Sequence, residues 1–326
     1  MKLTARVSLF VVLAVTAVLH ADSANRLVLV DLPVLPSGNF SQALAINDRG
    51  RAVGFSNGLF ANLHAVAWED GRVFDLGTLP GGTSSVARDV NNRGQVVGES
   101  TAGSGSTHAV LWQHGTIVDL GTLPDGVGIP AQSGATAVNN RGQIVGVNNA
   151  AGTFHAVLWE HGSIRDLGTA AGFQPTDIND RTQIIGYVLD VSGGSRGFLF
   201  DDGAVIDLGT LGGNTVVPTS INKRTQIVGY ATTSAGEFHA FLWEDGAMND
   251  LSGGDDTLAF GMAINDHRQV LARTSGGSVL WQKGVVFRLP GARTAAFGMN
   301  DRAQAVGWRI DQLGTHPILW TNNTTK

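Results

Sequence analysis

The stretch His155-Ala156-Val157-Leu158-Trp159, continued through Glu160-His161-Gly162 to Ser163-Ile164-Arg165-Asp166-Leu167-Gly168, decides the fold. Two short apolar runs flank His161-Gly162, and an X-Gly pair accepts the positive φ that a two-residue hairpin turn demands, so the stretch predicts a tight β-hairpin. The hairpin recurs. His64-Ala65-Val66-Ala67-Trp68, His108-Ala109-Val110-Leu111-Trp112 and His239-Ala240-Phe241-Leu242-Trp243 are close copies. Arg196-Gly197-Phe198-Leu199-Phe200, Gly277-Ser278-Val279-Leu280-Trp281 and His316-Pro317-Ile318-Leu319-Trp320 are diverged ones, making seven.

Upstream of each hairpin an apolar residue precedes an asparagine: Asn47, Asn91, Asn139, Asn179, Asn222, Asn265 and Asn300. Their spacings of 44, 48, 40, 43, 43 and 35 residues are the size of a four-stranded propeller blade, about twice a β-solenoid coil. After each Asn, a polar turn such as Asp48-Arg49-Gly50 leads into a second apolar run such as Ile144-Val145-Gly146. These segments supply strands one and two, and the hairpin supplies three and four. No helical period competes beyond the N-terminal stretch. The expected fold is therefore all-β, a seven-bladed β-propeller of four-stranded antiparallel blades occupying residues 25–326. The last unit stops after its third strand at Trp320, whereas Leu27-Val28-Leu29-Val30-Asp31-Leu32 matches a fourth strand. The N-terminal strand is thus expected to join the last blade and close the ring, which removes two aggregation-prone edges. Unit six, with Val270-Leu271-Ala272 in place of the Val-Val-Gly run, is expected to be the least regular.

Lys2 and Arg6 precede an apolar run from Val7 to Leu19 and then Ala21-Asp22-Ser23-Ala24, the layout of a signal peptide over residues 1–24. The run is short for a membrane span, so export without a span in the mature chain is expected. The chain has no cysteine, which leaves stability to packing rather than disulfides. A net charge of -5 gives no electrostatic reason to expect nucleic acid. No phosphate loop, nucleophile elbow or zinc-ligand spacing appears, so neither a catalytic residue nor a metal or cofactor is assigned, and a monomer is expected.

Two-residue turns place His64 diagonal to Asp75, His108 to Asp119, His155 to Asp166 and His239 to Asp250 on one face of each hairpin. In unit four Arg196 replaces His opposite Asp207, and in unit seven His316 is expected to meet Asp31. Repeated His and Asp invite an acid-base or metal reading. Chemistry needs one asymmetric site, however, and a pair copied through the repeat serves better as a structural bridge between buried polar groups. The recurring Trp is assigned to the core and the Asn to turn capping. Asp48, Asp180, Asp266 and Asp301 lack the order of a calcium loop and are assigned to solvated turns.

The strings Ala-x-x-Ile-Asn, Gly-Gln-x-Val-Gly, His-Ala-Phe/Val-x-Trp and Asp-Leu-Gly-Thr-Leu together resemble the HAF-repeat family of extracellular repeat proteins, over residues 27–320. The resemblance implies export and a propeller-like fold and carries no reaction or ligand. In a propeller the variable loops between strands two and three and between blades share one face, where recognition is built. Here that face carries Thr122–Pro130 and Leu189–Gly194. Immediately after the strand-two Gly stand Phe55, Tyr187, Tyr230 and Trp308, aromatic residues suited to stacking on sugar rings or gripping a protein, although packing along the rim is the plainer reading of the same positions. The leading expectation is an exported, non-enzymatic module that binds carbohydrate or protein on this face. The alternatives are a propeller hydrolase or lyase using Asp89, Asp177 and Arg88 at the channel mouth, and a structural cell-surface protein.

Overall fold

The computed structural model describes residues 27–58, 62–124, 131–150, 152–168, 172–191, 193–252 and 259–322. The expected leader at 1–24 and residues 125–130 of the longest inter-unit connection lie outside the described residues.

The described chain is all-β. Its first complete unit is β2 (Ser41–Ile46), β3 (Ala52–Asn57), β4 (Leu63–Glu69) and β5 (Arg72–Asp75), which follow β1 (Leu27–Asp31). The second is β6 (Ser85–Val90), β7 (Val96–Thr101), β8 (Thr107–Gln113) and β9 (Thr116–Asp119). The third is β10 (Gln132–Val138), β11 (Ile144–Ala150), β12 (Thr153–Glu160) and β13 (Ser163–Asp166). Next come β14 (Phe173–Ile178), β15 (Ile184–Leu189), β16 (Ser195–Asp201) and β17 (Ala204–Asp207), then β18 (Gly212–Ile221), β19 (Ile227–Thr233), β20 (Phe238–Glu244) and β21 (Ala247–Asp250). The chain ends with β22 (Phe260–Ile264), β23 (Val270–Thr274), β24 (Gly277–Gln282) and β25 (Val285–Arg288), followed by β26 (Thr294–Met299), β27 (Ala305–Asp311) and β28 (Gly314–Asn322). Each group of four forms an antiparallel sheet in sequential order, and one parallel bridge, Ser195 to Thr215, links two of them into an eight-stranded sheet.

The register follows from turn chemistry. Val157 pairs with Asp166 and Glu160 with Ser163, which leaves His161 and Gly162 at φ 52° and 76° as the two-residue turn. β1 pairs antiparallel with β28, with Leu29 opposite Trp320 and Asp31 opposite Ile318, so the first and last described strands share one sheet with β26 and β27.

Every first strand carries a bulge two residues before its final apolar residue, for example between Ala135 and Ala137. The bulge drives the strand-one backbone toward the facing Gly of strand two: a Cβ on Gly146 would lie 2.0 Å from the Gly134 carbonyl oxygen. That closeness explains why the apolar run of strand two ends in Gly. The sheet of β22–β25 has Ala272 there, keeps the same bulge between Gly261 and Ala263, and has a five-residue first and second strand.

Packing is distributed between sheets rather than gathered in one centre. Trp68, Trp112, Trp159, Trp243, Trp281 and Trp320 are all buried. Trp112 packs with Val53 and Ala67 of the preceding unit, and Trp320 with Leu271 and Leu280. Burying one such ring stabilises by up to several kcal/mol at ~25 cal/mol per Å² of apolar surface.

Candidate functional site

The first strands of all units line one cavity of about 300 Å³. The residue types at its rim follow from the turn after strand one. Asn47 Oδ1 accepts the backbone N–H groups of Arg49 and Arg51, both at 3.0 Å, and caps its own turn as the sequence predicts. Its amide nitrogen does something that local reasoning misses. It donates to the Asn91 carbonyl oxygen at 2.9 Å, and the pattern continues from Asn91 to Asn139, Asn179, Asn222, Asn265 and Asn300. Asn300 then donates to Asn47 at 2.9 Å across 253 residues. Each buried Asn thereby ties its own turn to the next unit.

A second tier runs one residue further on. Asp48 N donates to Asn92, Asn92 N to Asn140, Asn140 N to Asp180, Lys223 N to Asp266, Asp266 N to Asp301 and Asp301 N to Asp48. The step onto Lys223 is missing because an ammonium has no acceptor. Instead Lys223 Nζ lies 2.8 Å from Asp266 and 3.9 Å from Asp180. The hydrogen bond to Asp266 raises the Lys223 pKa, while burial, aided by the Asp266 and Asp48 charges, raises that of Asp301. Asp48, Asp180, Asp266 and Asp301 are thus half-buried acceptors for backbone donors rather than freely solvated turn residues. Among the described residues no group of three or more His, Asp or Glu side chains is arranged to hold a metal ion.

Below this rim stand Asp89 and Asp177, the two acids singled out from the sequence. Asp89 accepts Val90 N at 2.7 Å and Val138 N at 2.8 Å; Asp177 accepts Ile178 N at 2.7 Å and Ile221 N at 2.9 Å. Each carboxylate therefore bridges two neighbouring units across the channel wall. Enclosure by the wall pushes Asp89 above the usual carboxylate range, and the same desolvation, with the Asp89 charge added, pushes Asp177 up to about 7. Both side chains keep some contact with the channel, so water there tempers the effect. The equivalent positions elsewhere are Ala45, Ala137, Ser220, Ala263 and Gly298, so the architecture does not require an acid here. Arg88 is exposed and its guanidinium is held by Glu99 at 2.6 Å.

The aromatic residues expected at the loop face fall into local groups. Tyr230 meets Phe260 at 5.1 Å and Phe238 at 5.8 Å, both edge-on, and Phe238 meets Phe260 at 5.4 Å. Tyr187 acts on Tyr230, whose pKa is raised chiefly by burial and then by the neighbouring Tyr187 charge. Phe55 packs on Phe40 at 5.7 Å, and Trp308 is half-buried opposite Ala295 and Pro317. Phe238 and Phe260 were not anticipated: Phe238 starts β20 and lies diagonal to Tyr230 within the same sheet, whereas Phe260 is on β22 and is brought to the pair by packing between sheets.

Four of the expected His–Asp pairs form, at 2.8 Å for His64–Asp75 and 2.7 Å for His108–Asp119, His155–Asp166 and His239–Asp250. Arg196 pairs with Asp207 as anticipated. The fifth does not: His316 bonds Asp311 at 3.0 Å, and Asp31 is taken by Arg309 at 2.6 Å. The hairpin turn before β28 brings Asp311 to His316, and Arg309 on β27 reaches across to β1. The pairs are also not buried, since the carboxylates of Asp75, Asp119 and Asp166 are 40–42% exposed. Their role is an Asx turn: the second carboxylate oxygen accepts the N–H two residues on, as Asp166 does from Gly168 at 2.8 Å, which ends the outer strand.

A scan against models of known protein families finds no match, and neither does a comparison with curated proteins. Solved structures do match in fold. A puromycin-hydrolysing peptidase of Mycobacterium tuberculosis aligns with a TM-score of 0.64 at 11% identity over 88% of this chain, which spans about half, 51%, of the peptidase. Oligogalacturonate lyase in complex with manganese aligns at 0.61 and 8% identity over 92% of this chain and 99% of the lyase. The β-propeller domain of the trilobed protease from Pyrococcus furiosus, which has an open velcro topology, aligns at 0.56 and 10% identity over 86% and 95%. At such identities the likeness concerns architecture: the chain has a fold of the β-propeller kind. No helix among the described residues is long and apolar enough to cross a membrane.

Proposed function

We propose that this chain is an exported binding module, a closed seven-bladed propeller of the HAF-repeat kind whose N-terminal strand completes the last blade. Support for closure comes from the β1–β28 register and from the Asn300–Asn47 hydrogen bond, which returns the series of asparagine bridges to its start. The binding reading rests on one observation, the packed rings of Tyr230, Phe238 and Phe260, with Phe238 41% exposed. Rings already fixed by one another present an apolar face at little entropic cost, the property that stacking on a sugar ring uses. A glycan array with the mature protein tests it. Signal is expected for wild type and loss for Tyr230→Ala with Phe238→Ala; binding undiminished in the double variant refutes the assignment.

The channel supports a second reading, a hydrolase or lyase. A carboxyl group with a pKa near 7 is matched to general acid-base work at neutral pH. Asp177 meets that condition and the fold does not require it. Turnover of a substrate that disappears in both Asp89→Ala and Asp177→Ala favours this reading over the first.

A further inference from the structure

A second cavity, of about 290 Å³, opens between the first two complete units, away from the channel. It is lined by Arg51, Asp75, Arg93, Trp112 and His114 together with backbone of the adjoining turns. Two donors in these lining residues have no acceptor among the described residues: the indole Nε1–H of Trp112, a side chain only 4% exposed, and the Nε–H of Arg51. Both nitrogens are withdrawn from bulk solvent, and a desolvated donor left without an acceptor is destabilising until a ligand supplies one.

The orphaned indole has a sequence cause. Trp68 and Trp320 donate to the Pro33 and Pro290 carbonyl oxygens, at 2.6 and 2.7 Å, where the outer strand of the preceding unit continues as Leu-Pro. Before Trp112 that strand continues as Leu76-Gly77. Gly77 adopts φ 74°, and its carbonyl oxygen accepts the Ser85 hydroxyl at 2.8 Å instead. Trp159 is orphaned in the same way, behind Gly121 at φ 75°. Its surroundings differ in charge. The position held by Arg51 is Gln95 there, and the residue after the Trp is Glu160 in place of Gln113.

Arg51 also departs from its own repeat, since the equivalent residues are Gln95, Gln143, Gln183, Gln226, Gln269 and Gln304. Its nearest acid, Glu69, is 3.8 Å from Nη1, beyond hydrogen-bonding distance, so the guanidinium is loosely held. Asp75, the acid in the wall, is engaged by His64 and by Gly77 N.

We infer that this cavity is a binding site for a small oxyanion of the carboxylate or phosphate class, taken by the Arg51 guanidinium and the Trp112 indole N–H, with Arg93 and His114 at its edge. Guanidinium supplies the charge-assisted bonds, and the indole supplies a donor that no group among the described residues satisfies. The pocket is independent of both readings of the main site.

The test is titration of ¹⁵N-labelled full-length protein with inorganic phosphate and with acetate at constant ionic strength, following indole N–H resonances assigned with Trp112→Phe and Trp159→Phe. The Trp112 resonance is expected to shift saturably with at least one of the two anions while that of Trp159 stays in place. Arg51→Gln, which installs the residue found in the other units, is expected to weaken the response about tenfold or more. Saturation by phosphate alone or by both anions separates the two ligand sources within the same chemistry. An unsaturable response at Trp112, an equal shift at Trp159, or an unchanged response in a folded Arg51→Gln protein overturns the assignment.

Discussion

Replacing Asp177 by Ala is expected to change the pH dependence of stability rather than simply to destabilise. Alanine stands at the equivalent channel position in three other units, as Ala45, Ala137 and Ala263, so the backbone accommodates it. In the folded protein the Asp177 pKa is raised from 3.8 to about 7 by enclosure and by the Asp89 charge. A raised pKa means that the folded state holds its proton where the unfolded chain has released it. The associated stability is complete below the unfolded value, falls as pH rises through the interval, and is gone above the folded value. The full interval corresponds to about 4 kcal/mol, and channel water reduces this to about 2 kcal/mol. Urea unfolding of wild type and Asp177→Ala at pH 5 and pH 8 measures it. At pH 5 the variant loses two backbone hydrogen bonds and is the less stable protein by ~1–2 kcal/mol. At pH 8 the wild type also bears the cost of an ionised, partly desolvated carboxylate, and the gap narrows to near zero or reverses. A gap independent of pH, or one that widens toward pH 8, refutes the argument. Because the Asp89 charge helps to raise the Asp177 pKa, Asp89→Ala is expected to flatten part of the same slope.

Three further outcomes follow from the geometry. Asn139→Ala removes a cap for Arg141 N and Gln143 N together with the bridge to Asn179, and is expected to lower stability by ~2–4 kcal/mol in denaturant titration. His155→Ala is expected to cost less than ~1 kcal/mol by the same assay, because its pair with Asp166 is solvent-exposed. Deleting the chain through Leu32 exposes the β28 edge and removes the strand that holds Pro33, the acceptor of the Trp68 indole, in place, so a markedly lower melting temperature or aggregation is expected. Equal melting temperatures would count against completion of the last sheet by β1.

The sequence alone determined the elements of this protein and their pairing within a unit. Turn chemistry and alternation act over a few residues, so His161-Gly162 fixed the Val157–Asp166 register and with it the His155–Asp166 bridge. The repeat also placed β1 beside β28, because a missing strand at one end and a surplus one at the other leave a single partner. The same local logic failed for His316, where Arg309 competed for Asp31 and a nearer Asp311 was at hand.

Tertiary structure decided what lies between units. The second hydrogen bond of each Asn, the backbone donors that turn Asp48 and Asp301 into bridges, and the influence of the Asp89 charge on Asp177 all depend on residues in other units, 35 or more positions away. The repeat period gives the spacing of the units but not which atoms of different units meet. The packing of Phe260 on Tyr230 and Phe238, and the lining of one cavity by both Arg51 and Trp112, have the same origin. A propeller packs each sheet against its neighbours, so sites built at these seams belong to the arrangement of units and are invisible in any one of them.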